Sequence, residues 1–124
     1  KITCVRMYKL IDFYWQAHLR KLEKELTEMT DEQGEVYRRR QIEWMRETCM
    51  AVVISEEQGE VEKFRKWDLD ILPHRKLIKE GIDLPPAMRE KPQFHNMQRM
   101  ALDEAFKAEE HPFRIAIVCA MWLT

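Results

Sequence analysis

The sequence predicts an α/β fold in which parallel strands alternate with helices. Two segments are apolar and rich in β-branched residues, as buried strands are: MAVVIS at residues 50–55 and the run that begins at Phe113. Segments with apolar residues at three- and four-residue steps, the helical period, precede and separate them. Strands that alternate with helices form a parallel sheet through right-handed crossovers. Because only two strands are visible, we expect the sheet to be incomplete.

Length and composition fit one globular domain. The chain has 124 residues, 45% of them hydrophobic and 35% charged, and a formal net charge of −1. This composition argues against a disordered or membrane-spanning chain, and the balanced charge gives no overall attraction to nucleic acid. The three cysteines, Cys4, Cys49 and Cys119, are widely spaced. Such spacing favours reduced thiols and a cytoplasmic location over a disulfide scaffold.

A long first helix is predicted for residues 3–29, with Thr3 as its cap. One apolar stripe runs along it, formed by Tyr8, Ile11, Trp15, Leu19, Leu22, Leu26 and Met29. Lysine–glutamate pairs four residues apart occupy the polar side of its second half. We expect the stripe to pack against the sheet, and a short coiled-coil seam over residues 15–29 is the alternative.

Capping and proline signals divide the rest of the chain. The spacings Thr30–Gln33 and Ser55–Gln58 have the pattern of capping boxes, which mark helix starts. Four of the five prolines fall within residues 68–96, which we expect to hold at most a short helical turn near residues 74–80. In chain order the predicted elements are a helix at 35–49, a strand at 50–55, a helix at 56–67, an irregular stretch at 68–96, a helix at 97–109 and a strand at 113–122.

Motifs for catalysis and metal binding are weak in this sequence. The segment DEAF (Asp103–Phe106) is similar to the acidic box with which helicases hold magnesium, but that box follows an apolar strand. Here the preceding MQRMAL has a helical period, so we interpret the acids as exposed helix residues. The sequence has no phosphate-cradling glycine loop, zinc-ligand spacing or nucleophile elbow. We therefore predict no catalytic and no metal-binding residue.

Two further patterns have both a structural and a functional interpretation. The basic cluster YRRR (Tyr37–Arg40) could contact phosphates, but glutamates interleave with it, which favours a solvated helix. The last strand is equally compatible with a core strand and with a strand that leads into a ligand-binding loop.

Four segments of the chain resemble the restriction (R) subunit of type I restriction-modification enzymes. FRIAIVCAMWLT, residues 113–124, resembles the segment before Gly-Phe-Asp in motif V of that subunit's second RecA-like motor domain, of the helicase superfamily 2 kind. AVVIS resembles the preceding strand, and KITCVRMYKLI resembles the helix just after the motif IV strand. LDEAFKAEEHPFRIAIV is similar to the approach to motif V.

The resemblance implies a partial RecA-like domain, a three-layer fold of the P-loop NTPase type. The parent would be a hydrolase, an ATP-driven DNA translocase and endonuclease that cleaves unmodified DNA after translocation. Its cofactors would be ATP and Mg, and its partners would be double-stranded DNA and the methyltransferase (M) and specificity (S) subunits. The nucleotide and nuclease sites would lie in other parts of it, so we expect this chain alone to bind no cofactor and to be inactive.

The ends of the chain suggest a piece of a longer polypeptide. It starts without methionine and stops one residue past an apolar run, at Thr124. By the resemblance, it would begin after the motif IV strand and end before the glycine of motif V. Exposed edges of a truncated sheet are expected to cause self-association.

The resemblance also points to four nucleic-acid-binding candidates: Arg6, Cys119, Met121 and Thr124. Cys119 stands where many helicases have a threonine that binds the DNA backbone, and Thr124 precedes the position of the missing glycine. Ala120 and Met121 lack the hydroxyls and charges that usually bind phosphate, so main-chain amides would have to serve instead. A different class of function, a helical adaptor that dimerises through the seam at residues 15–29, remains open at this point.

Overall fold

The computed structural model describes residues 1–119, which form two compact units. The sheet unit contains residues 1–8 and the residues from Cys49 onward, and the hairpin unit contains residues 9–48. In chain order the elements are α1 (Ile2–Glu28), α2 (Glu32–Glu47), β1 (Cys49–Val53), α3 (Glu60–Arg65), α4 (Leu72–Glu80), β2 (Ile82–Asp83), α5 (Pro86–Arg89), a 3₁₀ turn (Pro92–Phe94), β3 (Arg99–Met100), α6 (Leu102–Lys107) and β4 (Phe113–Val118).

The hairpin unit packs the long part of α1 against α2. Leu19 and Leu22 of α1 are buried against Ile42 and Met45 of α2. This corrects the expectation that the stripe of the first helix packs against the sheet, since these two leucines are covered by the neighbouring helix. A connection of only three residues joins α1 to α2, and short connections favour antiparallel neighbours.

The first two helices confirm the sequence prediction to within a few residues. The predicted second helix, 35–49, begins earlier in the structure because the capping residue is Asp31 and not Thr30. The Asp31 side chain accepts a hydrogen bond from the Gly34 N–H at 3.1 Å, which satisfies a free amide of the first turn. The second helix also ends earlier than predicted, at Glu47, since Cys49 belongs to β1.

The parallel pairing of β1 with β4 confirms the mixed α/β prediction. The register places Val52 opposite Ile117 and Val53 opposite Val118. Val52 is completely buried, and Ile117 is buried too, as the apolar composition of both segments predicted. The predicted strands at 50–55 and 113–122 are shorter in the structure, and positions 120–122 of the second lie outside the described residues.

A second sheet, antiparallel and two residues long, corrects the predicted helix at 97–109. Met100 pairs with Ile82 in this sheet, and the helix α6 begins only at Leu102. Gly81 makes the close approach possible, because it has a φ of +88° and a Cβ there would lie 2.4 Å from the Met100 carbonyl oxygen. Tertiary pairing therefore outweighs the helical period of this segment.

The predicted helix at 56–67 is also shorter. The capping box at Ser55 does not form, because Gly59 has a left-handed conformation with a φ of 71° and a right-handed helix can start only after it, at Glu60. At the other end Asp68 is left-handed as well, and the Leu69 N–H donates to the Phe64 carbonyl at 3.0 Å. A left-handed residue followed by a hydrogen bond of this kind is typical of the C-terminus of a helix.

The stretch predicted as irregular, 68–96, contains a nine-residue helix, α4. Pro73 does not break it, because proline is tolerated in the first turn, where its missing N–H would have no partner. Pro86 begins α5 for the same reason, and Pro92 begins the 3₁₀ turn.

His111 connects the two sheets of the sheet unit from a buried position. Its Nδ1 accepts a hydrogen bond from the Phe113 N–H at 2.9 Å, and its Nε2 lies 3.0 Å from the Asp83 carbonyl oxygen. Since Nδ1 accepts, the proton is on Nε2 and is donated to Asp83. The ring is 2% exposed and adjoins the core that Phe113 shares with Leu84, Met88 and other apolar residues.

We predict that His111→Ala lowers the free energy of unfolding by about 3 kcal/mol, because it leaves the Phe113 N–H and the Asp83 carbonyl without their partner in the interior. Urea denaturation measures the change. His95→Ala, at an exposed histidine, is the control and is expected to cost less than about 0.5 kcal/mol. Equal midpoints for the two variants would show that the His111 bridge does not hold the sheets.

Candidate functional site at the carboxyl edge of the parallel sheet

The carboxyl ends of β1 and β4 meet at one edge of the parallel sheet. Val53 and Val118, the last residues of the two strands, are register partners. Beyond them the Cys119 N–H donates to the Val53 carbonyl at 3.4 Å. In α/β proteins with parallel strands, ligands bind outside this edge.

The start of α1 lies at the same edge. The Lys1 Nζ is 3.5 Å from a carboxylate oxygen of Glu57, in the loop that follows β1. Burial raises the pKa of the Cys4 thiol, and the nearby Cys119 thiol raises it further. We call residues 1–6, residues 54–57 and Cys119 the carboxyl edge.

Arg75 anchors the loop after β1 from the interior. Its Nε and Nη2 each donate to one oxygen of Glu60 at 2.8 Å, the bidentate geometry of the strongest ion pairs. Its Nη1 donates to the Ile54 carbonyl at 2.8 Å, and Nη2 also reaches the Ser55 carbonyl at 3.3 Å. One guanidinium of α4 therefore binds both the end of β1 and the start of α3.

Glu60 completes this cluster. Its Oε1 accepts the Glu57 N–H at 3.1 Å in addition to the Arg75 bonds. The hydrogen bonds from Arg75 hold the pKa of Glu60 below its usual value, although burial acts in the opposite direction. Both side chains are buried and bind each other, so the cluster is a structural clamp.

The exposed charges of the edge are largely paired as well. Glu57 accepts a hydrogen bond from Lys63 at 2.8 Å, which lowers the pKa of Glu57, and Lys1 adds a weaker contact. Lys79 pairs with Glu56 at 3.3 Å. Solvent-accessible pairs of this kind contribute little to stability, but they neutralise the cations that would otherwise attract phosphate.

Arg6 differs from these cations. It is exposed, and its guanidinium carbon lies 5.6 Å from the centroid of the Trp67 ring in a cation–π arrangement. Among residues 1–119, Arg6 thus contacts an aromatic ring and not a carboxylate. A guanidinium in this state keeps its charge available to an anion.

The structure brings two of the four predicted nucleic-acid candidates to this edge. Cys119 directly follows β4, and Arg6 lies two residues beyond Cys4 on α1. Met121 and Thr124, with Ala120, lie outside the described residues.

Sequence reasoning missed Arg75, Glu60 and His74. His74 is buried beside Tyr8, with ring centroids 4.5 Å apart in an edge-to-face arrangement. Burial lowers its pKa, and the charge of Asp70 partly opposes this. A signal did exist, because Ile71, His74, Arg75 and Ile78 share one face of a helical period, but the surrounding prolines concealed the helix.

The two charged motifs of the sequence, DEAF and YRRR, lie on the helices α6 and α2. Asp103 and Glu104 of the DEAF segment are exposed on α6, as interpreted from the sequence. In the basic cluster, Arg38 pairs with Glu25 of α1, which is typical of a solvated helix with ion pairs to its neighbour.

The hairpin unit contains an apolar groove. It encloses about 540 Å³ and is lined mainly by Leu10, Ile11, Tyr14, Trp15 and Trp44. Tyr14 is 66% exposed, and the neighbouring Phe13 is exposed to a similar degree.

Two further kinds of feature are absent from the described part of the chain. Residues 1–119 contain no group of three or more histidine, cysteine, aspartate or glutamate side chains arranged to hold a metal ion. None of the helices in this range combines the length and apolar character that crossing a membrane requires.

Comparison with known proteins returns no relative: no family model matches the chain, and no curated protein or solved structure is detectably similar. By its fold, the protein is a mixed α/β chain with a small parallel sheet.

We predict that Arg75→Ala lowers the free energy of unfolding by about 3–5 kcal/mol, because it leaves Glu60 as an uncompensated buried charge. The Ile54 and Ser55 carbonyls lose their donor at the same time. Lys76→Ala, at the adjacent exposed position of α4, is the matched control and should cost less than about 0.5 kcal/mol. Urea denaturation measures both, and a cost for Arg75→Ala no larger than the control's would refute the clamp.

We also predict two separate acid transitions in stability. In the unfolded chain His74 takes up a proton below about pH 6.5, whereas in the folded chain burial lowers its pKa. The free energy of unfolding therefore decreases as the pH falls below about 6.5. The Glu60 contribution is present above about pH 4.3 and is lost as pH falls through its lower folded pKa.

Unfolding free energies measured by urea between pH 7 and pH 3 check these transitions. His74→Gln should flatten the decline that begins near pH 6.5, and Glu60→Gln should flatten the one below about pH 4.3. Each variant is the control for the other. Identical pH profiles of the two variants would contradict the assignment.

Proposed function

We propose that this chain is part of the second RecA-like lobe of a DNA-translocating motor, in the R subunit of a type I restriction-modification enzyme. The observation that supports it most is the parallel pairing of β1 with β4. The segments that resemble motif V and the strand before it are neighbours in one sheet, as they would be in such a lobe. The segment that resembles the helix after motif IV starts at the carboxyl edge of the same two strands.

In this proposal the carboxyl edge faces the DNA backbone. Arg6 supplies the cation, since the lysines nearby are engaged by Glu56 and Glu57. The amides that follow β4 supply neutral donors, which bind phosphate irrespective of the side chain. Opening and closing against the first lobe would convert ATP hydrolysis into steps along the duplex.

The chain's own residues do not fit a site for ATP and magnesium. The sequence has no glycine-rich phosphate loop, and residues 1–119 offer no cluster of carboxylates for a metal. We therefore assign nucleotide binding, hydrolysis and DNA cleavage to other parts of the parent, and assign to this chain a role in DNA contact and lobe movement.

The experiment replaces Arg6 by alanine in the complete polypeptide, assembled with the M and S subunits. We predict a several-fold rise in the DNA concentration that half-maximally stimulates ATP hydrolysis. Its dependence on salt should fall by about one unit of log–log slope, because one phosphate contact is lost.

Arg89→Ala is the matched control, since Arg89 is an exposed arginine of α5 in the same unit. Its half-saturating DNA concentration and salt slope should equal those of the unchanged enzyme. An Arg6 variant that behaves like the Arg89 variant would refute the DNA contact. A complete polypeptide without DNA-stimulated ATP hydrolysis would refute the motor.

A helical adaptor is the second candidate, and the apolar groove of the hairpin unit favours it. The seam at residues 15–29 is not its surface, because Leu19 and Leu22 are already buried against α2. The exposed Leu10, Phe13 and Tyr14 would serve instead. The adaptor predicts that Tyr14→Glu abolishes self-association and that Gln16→Glu retains it. Together with unchanged ATP hydrolysis in Arg6→Ala, that result would favour the adaptor over the motor.

A further inference from the structure

Trp67 presents an aromatic ring to solvent just after α3. Its side chain is 56% exposed, although tryptophan side chains are on average highly buried. The guanidinium of Arg6 lies over the ring, 5.6 Å from its centroid. A flat ring has two faces and Arg6 covers one of them, so an exposed fraction above one half leaves the other face open to a flat ligand.

The backbone that carries Trp67 is fixed by the end of α3. The Trp67 N–H donates to the Phe64 carbonyl at 3.0 Å, and the Leu69 N–H donates to the same carbonyl at 3.0 Å. Phe64 is 1% exposed, so this turn is anchored in the interior. Together with the Arg6 contact, these bonds order the site before a ligand binds, which lowers the entropy cost of binding.

Three cations accompany this ring. Arg6 contacts it, and the exposed Arg65 and Lys66 immediately precede it in the sequence. Among residues 1–119, none of the three forms an ion pair with a carboxylate. The acids of the same stretch, Glu62 and Asp68, limit the net positive charge, so we expect stacking on the ring to contribute more to affinity than attraction of phosphates alone.

We propose that Trp67, held by Arg6, is a stacking site for an unpaired base of single-stranded nucleic acid. The base lies on the open face of the indole ring, and the adjoining phosphates are bound by the cations. Bases stack on aromatic side chains irrespective of sequence, and cation–π contacts of arginine add to this. In a duplex the neighbouring pairs cover the faces of the bases, so the site favours a single strand.

This inference rests on the DNA contact proposed for the carboxyl edge, but not on ATP hydrolysis or on the assignment to a restriction enzyme. It adds the form of DNA that is bound and the residue that selects it.

The test measures binding of the purified chain to a short dye-labelled DNA single strand and to the corresponding duplex, by fluorescence anisotropy at low salt. The unchanged chain should bind the single strand more tightly. Trp67→Ala should raise the dissociation constant of the single strand about tenfold, because one stacked base is lost, and change that of the duplex by less than about twofold. Trp67→Phe should restore most of the affinity, since it keeps an aromatic face.

Leu72→Ala is the control for the loss of exposed apolar area, since Leu72 is 51% exposed, lies in the same unit and has no aromatic ring. It should leave both dissociation constants unchanged. Arg6→Ala should weaken the binding of both DNA forms and lower the salt dependence by about one unit of log–log slope. Circular dichroism verifies that each variant is folded.

Three outcomes would overturn the stacking site. They are no measurable binding of the single strand by the unchanged chain, an unaltered single-strand affinity in Trp67→Ala, and an equal loss of single-strand and duplex affinity in that variant. If Arg6→Ala weakens both forms while Trp67→Ala changes neither, the stacking site is refuted and the proposed DNA contact stands. If neither variant alters either affinity, both proposals are refuted.

Discussion

The structure of the carboxyl edge depends on the Arg75–Glu60 ion pair. Arg75 binds the two carbonyls that follow β1 and the carboxylate that begins α3, so a single side chain fixes where the strand ends and where the next helix starts. A buried charge pair of this kind often adds little net stability compared with apolar packing, but it tolerates few alternative arrangements. Here the pair determines geometry, because it fixes the loop after β1, which carries the exposed charges of the edge.

This arrangement determines which charges are available for binding. Glu57, held by its N–H to Glu60, pairs with Lys1 and Lys63 on the surface. The nearby lysines are thereby neutralised. Arg6 is the cation of the edge that contacts an aromatic ring. Phosphate contact is therefore proposed for this cation.

Local signals in the sequence predicted the elements whose stability is local or whose burial is uniform. The stripe of α1 and the β-branched runs of β1 and β4 gave the long helix and the parallel pair. Prediction failed at Met100 because a distant partner decides: Met100 is in a strand because Ile82 pairs with it. It also failed at the predicted capping box of Ser55, because the left-handed backbone of Gly59 lets the helix begin only at Glu60. Pro73 was expected to interrupt a helix, although proline is tolerated in the first turn of one.

The position proposed for the site follows from the sequence, but its composition does not. Parallel strands indicate that ligands bind at their carboxyl ends, and Cys119 directly follows β4 at that edge. The clamp was not predictable, because Arg75 and Glu60 are fifteen residues apart and are joined only by tertiary structure. A buried charge has no local signature that distinguishes it from a surface one.

The most direct test of the proposed DNA contact at the carboxyl edge is amide hydrogen exchange of the complete polypeptide, assembled with the M and S subunits, with and without double-stranded DNA. Our account predicts that DNA slows exchange at residues 1–6, at residues 54–57 and at Cys119, with little change at Leu10 to His18. Protection confined to the groove of the hairpin unit, or no protection at the carboxyl edge, would contradict it.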